Sequence, residues 1–151
     1  MTVSVYSTIA TIENAPSPTT LMASAINRGK VRVQVGSYTA ASLAASSEIA
    51  LFRLHLGDVV LLAGSWLGSE DNLGSGVTFA LGDNDSVTAV DADRYLEATA
   101  IATAAIIQLN DAVACLSKVP YTIQEDCWCI LTVGDEVTGD IRFEILLSNN
   151  N

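Results

Sequence analysis

The residues of this sequence that could do chemistry are one histidine, three cysteines and a short acidic stretch. The acidic stretch runs from Gly82 to Asp93, and its aspartates at positions 83, 85, 91 and 93 resemble the spacing of calcium ligands. An EF-hand loop starting at Asp83 would need glycine at its sixth position and glutamate at its twelfth. The sequence has Thr88 and Arg94 there. We therefore interpret the aspartates as turn and helix-cap residues, and we predict no metal and no cofactor.

The histidine and the cysteines do not form a reactive group either. His55 has no nucleophile or acid at a spacing that would make it a catalytic base, so no enzyme activity is predicted. Cys127 and Cys129 lie two apart in a predicted strand and point to the same side, which is poor geometry for a disulfide. A zinc site would need two further ligands. The favoured interpretation of these cysteines, and of Cys115, is buried structural thiols.

Composition limits the kinds of partner. The chain has 151 residues, of which 50% are hydrophobic and only 16% are charged, and its mean hydropathy is +0.38. Gly, Ser or Asp interrupts every apolar run before the roughly 20 residues that a membrane helix needs, so no membrane association is predicted. The net charge of −10 argues against a nucleic-acid partner. The first residues lack the features of a secretion signal, so folding in a cytoplasm is expected. The high apolar content indicates either a well-filled core or burial of surface against other subunits, and we favour the second.

The chain is organised around Glu48 to Leu67, which predicts a hairpin of two strands joined by a tight turn at Gly57 and Asp58. The second strand begins with Val59 to Ala63, a run that is apolar on both faces. A strand of this kind needs a cover on each side. One cover would be the opposite sheet, and the other would be a chain arm or a neighbouring subunit.

Alternation in Lys30 to Tyr38 predicts a strand with its valines inward and with Arg32 and Gln34 outward. Arg94 to Ala105 is rich in alanine and has acidic residues at its start, which predicts one short α-helix. Further strands are predicted at 77–81, 112–116, 121–124, 127–133 and 140–147. The predicted fold is therefore mainly β: a jelly-roll-like β-sandwich with one short α-helix, formed by a single domain over residues 30–151.

Residues 1–29 are predicted to form an extended N-terminal arm. Pro16 and Pro18 prevent this segment from being a central strand, and it has few charges, so we expect it to lie against a neighbour or against its own domain. The predicted interface residues come from this arm and from the two-faced strand: Val3, Val5, Tyr6, Ile9, Ile12, Val59, Val60, Leu61 and Leu62.

Several short motifs of the sequence resemble those of small structural proteins of tailed-bacteriophage heads, namely the capsid decoration (cement) proteins and related virion proteins. The resemblance extends over about residues 29–147, and it departs from the family at His55 to Asp58, where Pro-Lys-Gly is commoner. The matching motifs are Gly29 to Val33, Tyr38 to Ala44, Ile49 to Leu54, Gly82 and Asp83, Asp91 to Tyr95, and Thr138 to Arg142.

The resemblance implies a non-enzymatic role on the outer surface of a capsid. Its implied partners are the major capsid protein and further copies of this chain, most simply as a homotrimer. Two alternatives stay open. One is a structural protein of the head–tail connector or the tail. The other is a small carbohydrate- or ligand-binding β-sandwich that would use Trp66, Trp128 and the acidic loop.

Overall fold

A computed structural model describes residues 5–6, 31–87, 90–101, 103–110 and 120–149 of the chain. All regular structure in these ranges is strand. The elements in chain order are β1 Val5–Tyr6, β2 Val31–Leu43, β3 Glu48–Leu54, β4 Asp58–Ser69, β5 Thr78–Asp83, β6 Asp91–Ala100, β7 Ala105–Gln108, β8 Cys127–Val133 and β9 Val137–Asn149.

The strands form two sheets, which confirms the predicted mainly-β sandwich. One sheet has five strands in the order β1-β3-β8-β5-β6, and the other has four in the order β2-β9-β4-β7. All pairings are antiparallel except that of β1 with β3. The core lies between the sheets, where the rings of Phe52 in β3 and Phe143 in β9 approach to 5.9 Å between centroids.

Alternation of side chains along β5 and β9 explains how each strand contributes to this core. Phe79 and Leu81 of β5 are fully buried. In β9 the inward positions predicted from the sequence are confirmed: Ile141, Phe143, Ile145 and Leu147 are each at most 1% exposed. The intervening residues of β9 lie on the opposite side of the sheet, as the two-residue period of a strand requires.

The predicted hairpin between β3 and β4 is wrong. The turn at Gly57 is present, with a φ of 89° at this glycine, but the two strands enter different sheets. β3 pairs with β8, whereas β4 pairs with β9 and β7. The turn is therefore a corner that carries the chain from one layer to the other.

Asp58 holds this corner. Its carboxylate is fully buried and accepts hydrogen bonds from the guanidinium of Arg32, from the main-chain N of His55 at 2.7 Å and from Nδ2 of Asn149 at 2.9 Å. These donors belong to β2, to the corner itself and to β9. A buried carboxylate is tolerated only with such partners, so Asp58 joins three parts of the chain.

The predicted helix over Arg94 to Ala105 is also wrong. Residues 91–100 form β6, which pairs antiparallel with β5. At Gly82 of β5 a Cβ atom would lie 2.0 Å from the carbonyl oxygen of Asp91, so a glycine is needed for the two strands to approach. The helix preference of alanine amounts to less than about 1 kcal/mol per residue, and pairing with β5 together with burial of Tyr95 and Leu96 outweighs it.

Most of the predicted arm lies outside the described residues. Val5 and Tyr6 are described as β1, which pairs in parallel with Ile49 and Ala50 at the edge of the five-stranded sheet. This short piece therefore adds a strand to its own domain. The boundary at residue 29 and the role of the arm in docking stay predictions.

Replacement of Asp58 by alanine should destabilise the fold strongly. It leaves the buried guanidinium of Arg32 without its counter-charge, and removal of one member of a buried ion pair costs about 3–5 kcal/mol. Urea denaturation of Asp58→Ala should show this loss. The matched control is Asp135→Ala, which removes an exposed carboxylate and should change the free energy of unfolding by less than about 0.5 kcal/mol. Equal effects of the two substitutions would contradict the role of Asp58.

Candidate interaction surface

The outward side of the four-stranded sheet, here called the outer face, has an unusual number of apolar side chains. Its cross-strand rows follow from the pairing register: Val33 lies beside Leu146, and Leu146 lies beside Leu61. Val31 and Val35 are the neighbours of Val33 along β2. The apolar members of the outer face are Val31, Val33, Val35, Leu61, Trp66, Ile106 and Leu146.

Several of these side chains are strongly exposed. Val31 is 56%, Val35 60% and Ile106 61% exposed, and Val33 is 36% exposed. Single exposed apolar residues are ordinary, but a contiguous group on one sheet face is typical of an interaction surface. The outer face is therefore the best candidate for an interface among the residues described.

A groove lies at the β7 end of the outer face. It is lined by Trp66, Gly68, Ile106 and Arg142, together with the start of the loop after β4. Arg142 pairs with Glu70 at 2.9 Å. The groove encloses only about 90 Å³, whereas small-molecule sites measure roughly 300–1,000 Å³. Its size suits an inserted side chain of a protein partner better than a sugar.

The structure divides the predicted interface residues. Val59 and Val60 are buried at 9% and 4% exposure. Leu62 packs partly against the core, whereas Leu61 lies on the outer face. β1 contains Val5 and Tyr6, and the remaining three predicted residues, Val3, Ile9 and Ile12, lie outside the described ranges.

The predicted orientation of β2 is reversed. Arg32 and Gln34 are buried at 7% and 1% exposure, while the three valines that alternate with them point outward. The valines were missed as surface residues because apolar side chains were assumed to face the core. The sequence feature that could have indicated their orientation is Asp58. This acidic residue follows the corner glycine, and once buried it needs a cation such as Arg32 as a partner.

Two aspartates of the acidic stretch belong to a polar network, and the predicted helix cap is wrong because residues 91–100 form strand β6. Asp83 accepts hydrogen bonds from the Tyr95 hydroxyl at 2.6 Å and from Nε of Arg94 at 2.8 Å. Asp85 accepts from the Tyr121 hydroxyl and from the main-chain N of Gln124, both at 2.8 Å. In the described part of the chain, no group of three or more His, Cys, Asp or Glu residues is arranged to hold a metal.

This network fixes the loop after β5 to the segment before β8. Arg94 also lies over the ring of Tyr121, 3.8 Å from its centroid, which adds a cation–π contact. The network occupies the carboxylates of Asp83 and Asp85 with protein donors. The network therefore holds this part of the fold together.

The two aspartates of the network differ in their acidity. Burial raises the pKa of Asp83 above its ordinary value, although Tyr95 and Arg94 act in the opposite direction. Burial also opposes ionisation of Asp85, but the hydrogen bonds from Gln124, Tyr121 and Val87 together outweigh it, so the pKa of Asp85 is lowered.

The cysteines and the histidine lie in surroundings that do not activate them. Cys127 and Cys129 are free and buried, and burial raises the pKa of both thiols, which leaves them protonated and unreactive. Cys115 and the strand predicted at 112–116 lie outside the described residues. His55 lies 3.4 Å from Asp126, and both side chains are about half exposed. This pair lacks the desolvation that activates a catalytic base.

The two tryptophans do not share a binding surface. Trp66 lies in β4 of the four-stranded sheet, whereas Trp128 lies in β8 of the five-stranded sheet. Trp66 donates a hydrogen bond to Glu144 at 3.3 Å, and Trp128 stacks with Arg53. A sugar site built from both tryptophans and the acidic loop is therefore not formed.

The opposite shifts of Asp83 and Asp85 predict opposite effects on stability. The stabilisation from Asp85 is fully present above its unfolded-state pKa, at about 4, and is lost as pH falls through its lower folded pKa. Asp85→Asn should thus reduce the loss of stability as pH falls below about 4. Stabilisation linked to Asp83 is lost as pH rises above about 4, so Asp83→Asn should flatten that part of the profile. Urea unfolding at each pH measures both. Unchanged slopes in both variants would contradict the assignment.

Comparison with known proteins finds the same fold in two solved structures. No protein family matches the sequence, and no curated protein matches it. A chain in the capsid of Ralstonia phage GP4 has the same fold, with a TM-score of 0.62 and 14% identity over 98% of this chain and 99% of that chain. A chain in the capsid asymmetric unit of cyanophage Pam1 matches with a TM-score of 0.53 and 18% identity over 90% and 98%. The fold of this chain is therefore one that occurs in phage capsids, in chains of nearly the same length.

Proposed function

We propose that this chain is a non-enzymatic decoration (cement) protein of a tailed-bacteriophage head, which binds the major capsid protein on the outer surface and stabilises the shell. The observation that carries the proposal is the end-to-end match with chains of two phage capsids. Because nearly all of each chain is matched, the whole sandwich recurs in those particles. The sequence resemblance to head structural proteins supports the same role, and it is the basis for proposing three copies around a local symmetry axis.

The outer face is the proposed contact with the shell. The β7 end combines an exposed isoleucine, Ile106, with Trp66 and with the ion pair of Arg142 and Glu70. An apolar centre with aromatic and arginine side chains and a polar rim is the usual anatomy of a protein interface. Residues 1–29, with Val3, Ile9 and Ile12, are proposed as a second contact to a neighbouring subunit.

The location of the chain is tested on virions of the phage that encodes it. Quantitative mass spectrometry of gradient-purified particles should detect the chain at a copy number comparable to that of the major capsid protein. A connector or tail protein would be present in only a few copies per particle. Absence of the chain from purified virions would overturn the proposal.

The contact through the outer face predicts a specific binding defect. Particles made without this chain should bind the added wild-type protein, and Ile106→Asp should weaken binding at least about tenfold, because burial of an isoleucine contributes about 1.5–3 kcal/mol. Val87→Asp is the matched control, since Val87 is 60% exposed but follows β5, away from the outer face. Equal binding by the two variants would contradict the assigned surface.

A further inference from the structure

The groove at the β7 end of the outer face is built around a glycine. Gly68 of β4 lies in a cross-strand row between Arg142 of β9 and Ile106 of β7. A Cβ atom at Gly68 would lie 2.4 Å from the carbonyl oxygen of Ala105, which is much closer than non-bonded carbon contacts allow. No side chain fits at this position unless β4 and β7 separate. The row therefore has a gap at its centre, and this gap is part of the groove.

The groove has apolar walls and a charged rim. The exposed side chain of Ile106 and the half-buried indole of Trp66 line it. Glu70 and Arg142 stand at the rim and pair with each other at 2.9 Å, with 75% and 49% of their side chains exposed. Glu144 lies beside Trp66 in the pairing register and accepts a hydrogen bond from its indole N at 3.3 Å. Two carboxylates and one guanidinium therefore surround the groove, and their net charge is negative.

We propose that the groove binds a lysine or arginine side chain of the capsid surface, an inference that rests on the proposed function and names the chemistry of its contact. Basic side chains bury their aliphatic stems against apolar surface and keep the charged head at a polar rim. Ile106 and Trp66 are the apolar surface for the stem, and the carboxylates of Glu70 and Glu144 are the acceptors for the head. A cation near the ring of Trp66 also gains a cation–π contact.

Charge complementarity selects a basic side chain over the other kinds. An acidic side chain would approach a guanidinium that Glu70 already neutralises, next to the carboxylate of Glu144, on a chain with a net charge of −10. A purely apolar side chain would remove water from the rim carboxylates without offering a donor in its place, which is costly. A basic side chain supplies both the donor and the opposite charge.

Substitutions on either side of the groove test the sign of the charge that it binds. The Kd of the purified full-length protein for particles made without this chain is measured at about 0.15 M salt, where the screening length is about 8 Å. Glu144→Gln keeps an acceptor for the indole of Trp66 but removes a negative charge, and it should weaken binding about two- to fivefold. Arg142→Gln removes the competing cation and releases Glu70, so it should strengthen binding. The control Glu97→Gln removes an exposed carboxylate of β6, in the other sheet, and should leave the Kd unchanged.

The outcomes separate this inference from the proposed function. Weaker binding by Arg142→Gln would show that the partner group is acidic or that the ion pair itself is recognised, and either result would overturn the inference. A Kd that is unchanged in both Glu144→Gln and Arg142→Gln would overturn it as well, because charge would then play no part in the groove. If the wild-type protein does not bind the particles, the proposed function fails and the inference fails with it.

Ionic strength gives a readout that a merely structural role of Glu144 would not change. Because salt screens exposed ion pairs, the advantage of the wild type over Glu144→Gln should shrink as the salt concentration rises from about 0.05 M to about 0.5 M. The melting temperatures of the two proteins should agree at each concentration. A difference in Kd that does not depend on salt, or that accompanies a lower melting temperature of the variant, would show that Glu144 only holds Trp66 in place and would overturn the inference.

Discussion

The buried carboxylate of Asp58 determines how the four-stranded sheet is presented to its surroundings. It binds the guanidinium of Arg32 at the start of β2, and it also accepts from the corner and from β9. Once Arg32 points inward, the two-residue period of the strand fixes the orientation of the residues on either side of it. Val31, Val33 and Val35 must point outward. A single buried charge pair therefore creates an apolar surface at the edge of the sheet.

Local patterns in the sequence predicted where the strands lie more accurately than they predicted which side of each strand faces the core. β8 and the inward residues of β9 follow directly from alternation and flanking turns, and the sandwich follows from the number of strands. The two-residue period of β2 was recognised correctly, but periodicity does not state which side of a strand faces the core. That choice depended on a partner for Arg32 at position 58, 26 residues away.

The errors at β4 and β6 have a similar origin. The turn at Gly57 is a local signal, but whether the strands on either side of it pair depends on β8 and β9, which come much later in the chain. β6 has the composition of a helix, yet Arg94 and Tyr95 donate hydrogen bonds to Asp83 in β5. Contacts between residues distant in the sequence decide which sheet a strand joins, and they outweigh the weak intrinsic preference of a residue for helix or strand.

The outer face has two regions of different chemistry, and this difference matters for an acidic protein. The charged side chains of Arg142 and Glu144 lie on β9, beside Gly68 and Trp66 of β4 and also beside Ser37 and Val35 of β2. Arg142 pairs with Glu70, and Glu144 accepts a hydrogen bond from Trp66. The row of Val33, Leu146 and Leu61 carries no charge. Two copies with a net charge of −10 repel one another at long range, so contact between them is opposed least where like charges are absent. The row of Val33, Leu146 and Leu61 meets that condition, whereas the groove beside Ile106 has the charged rim of Glu70 and Arg142.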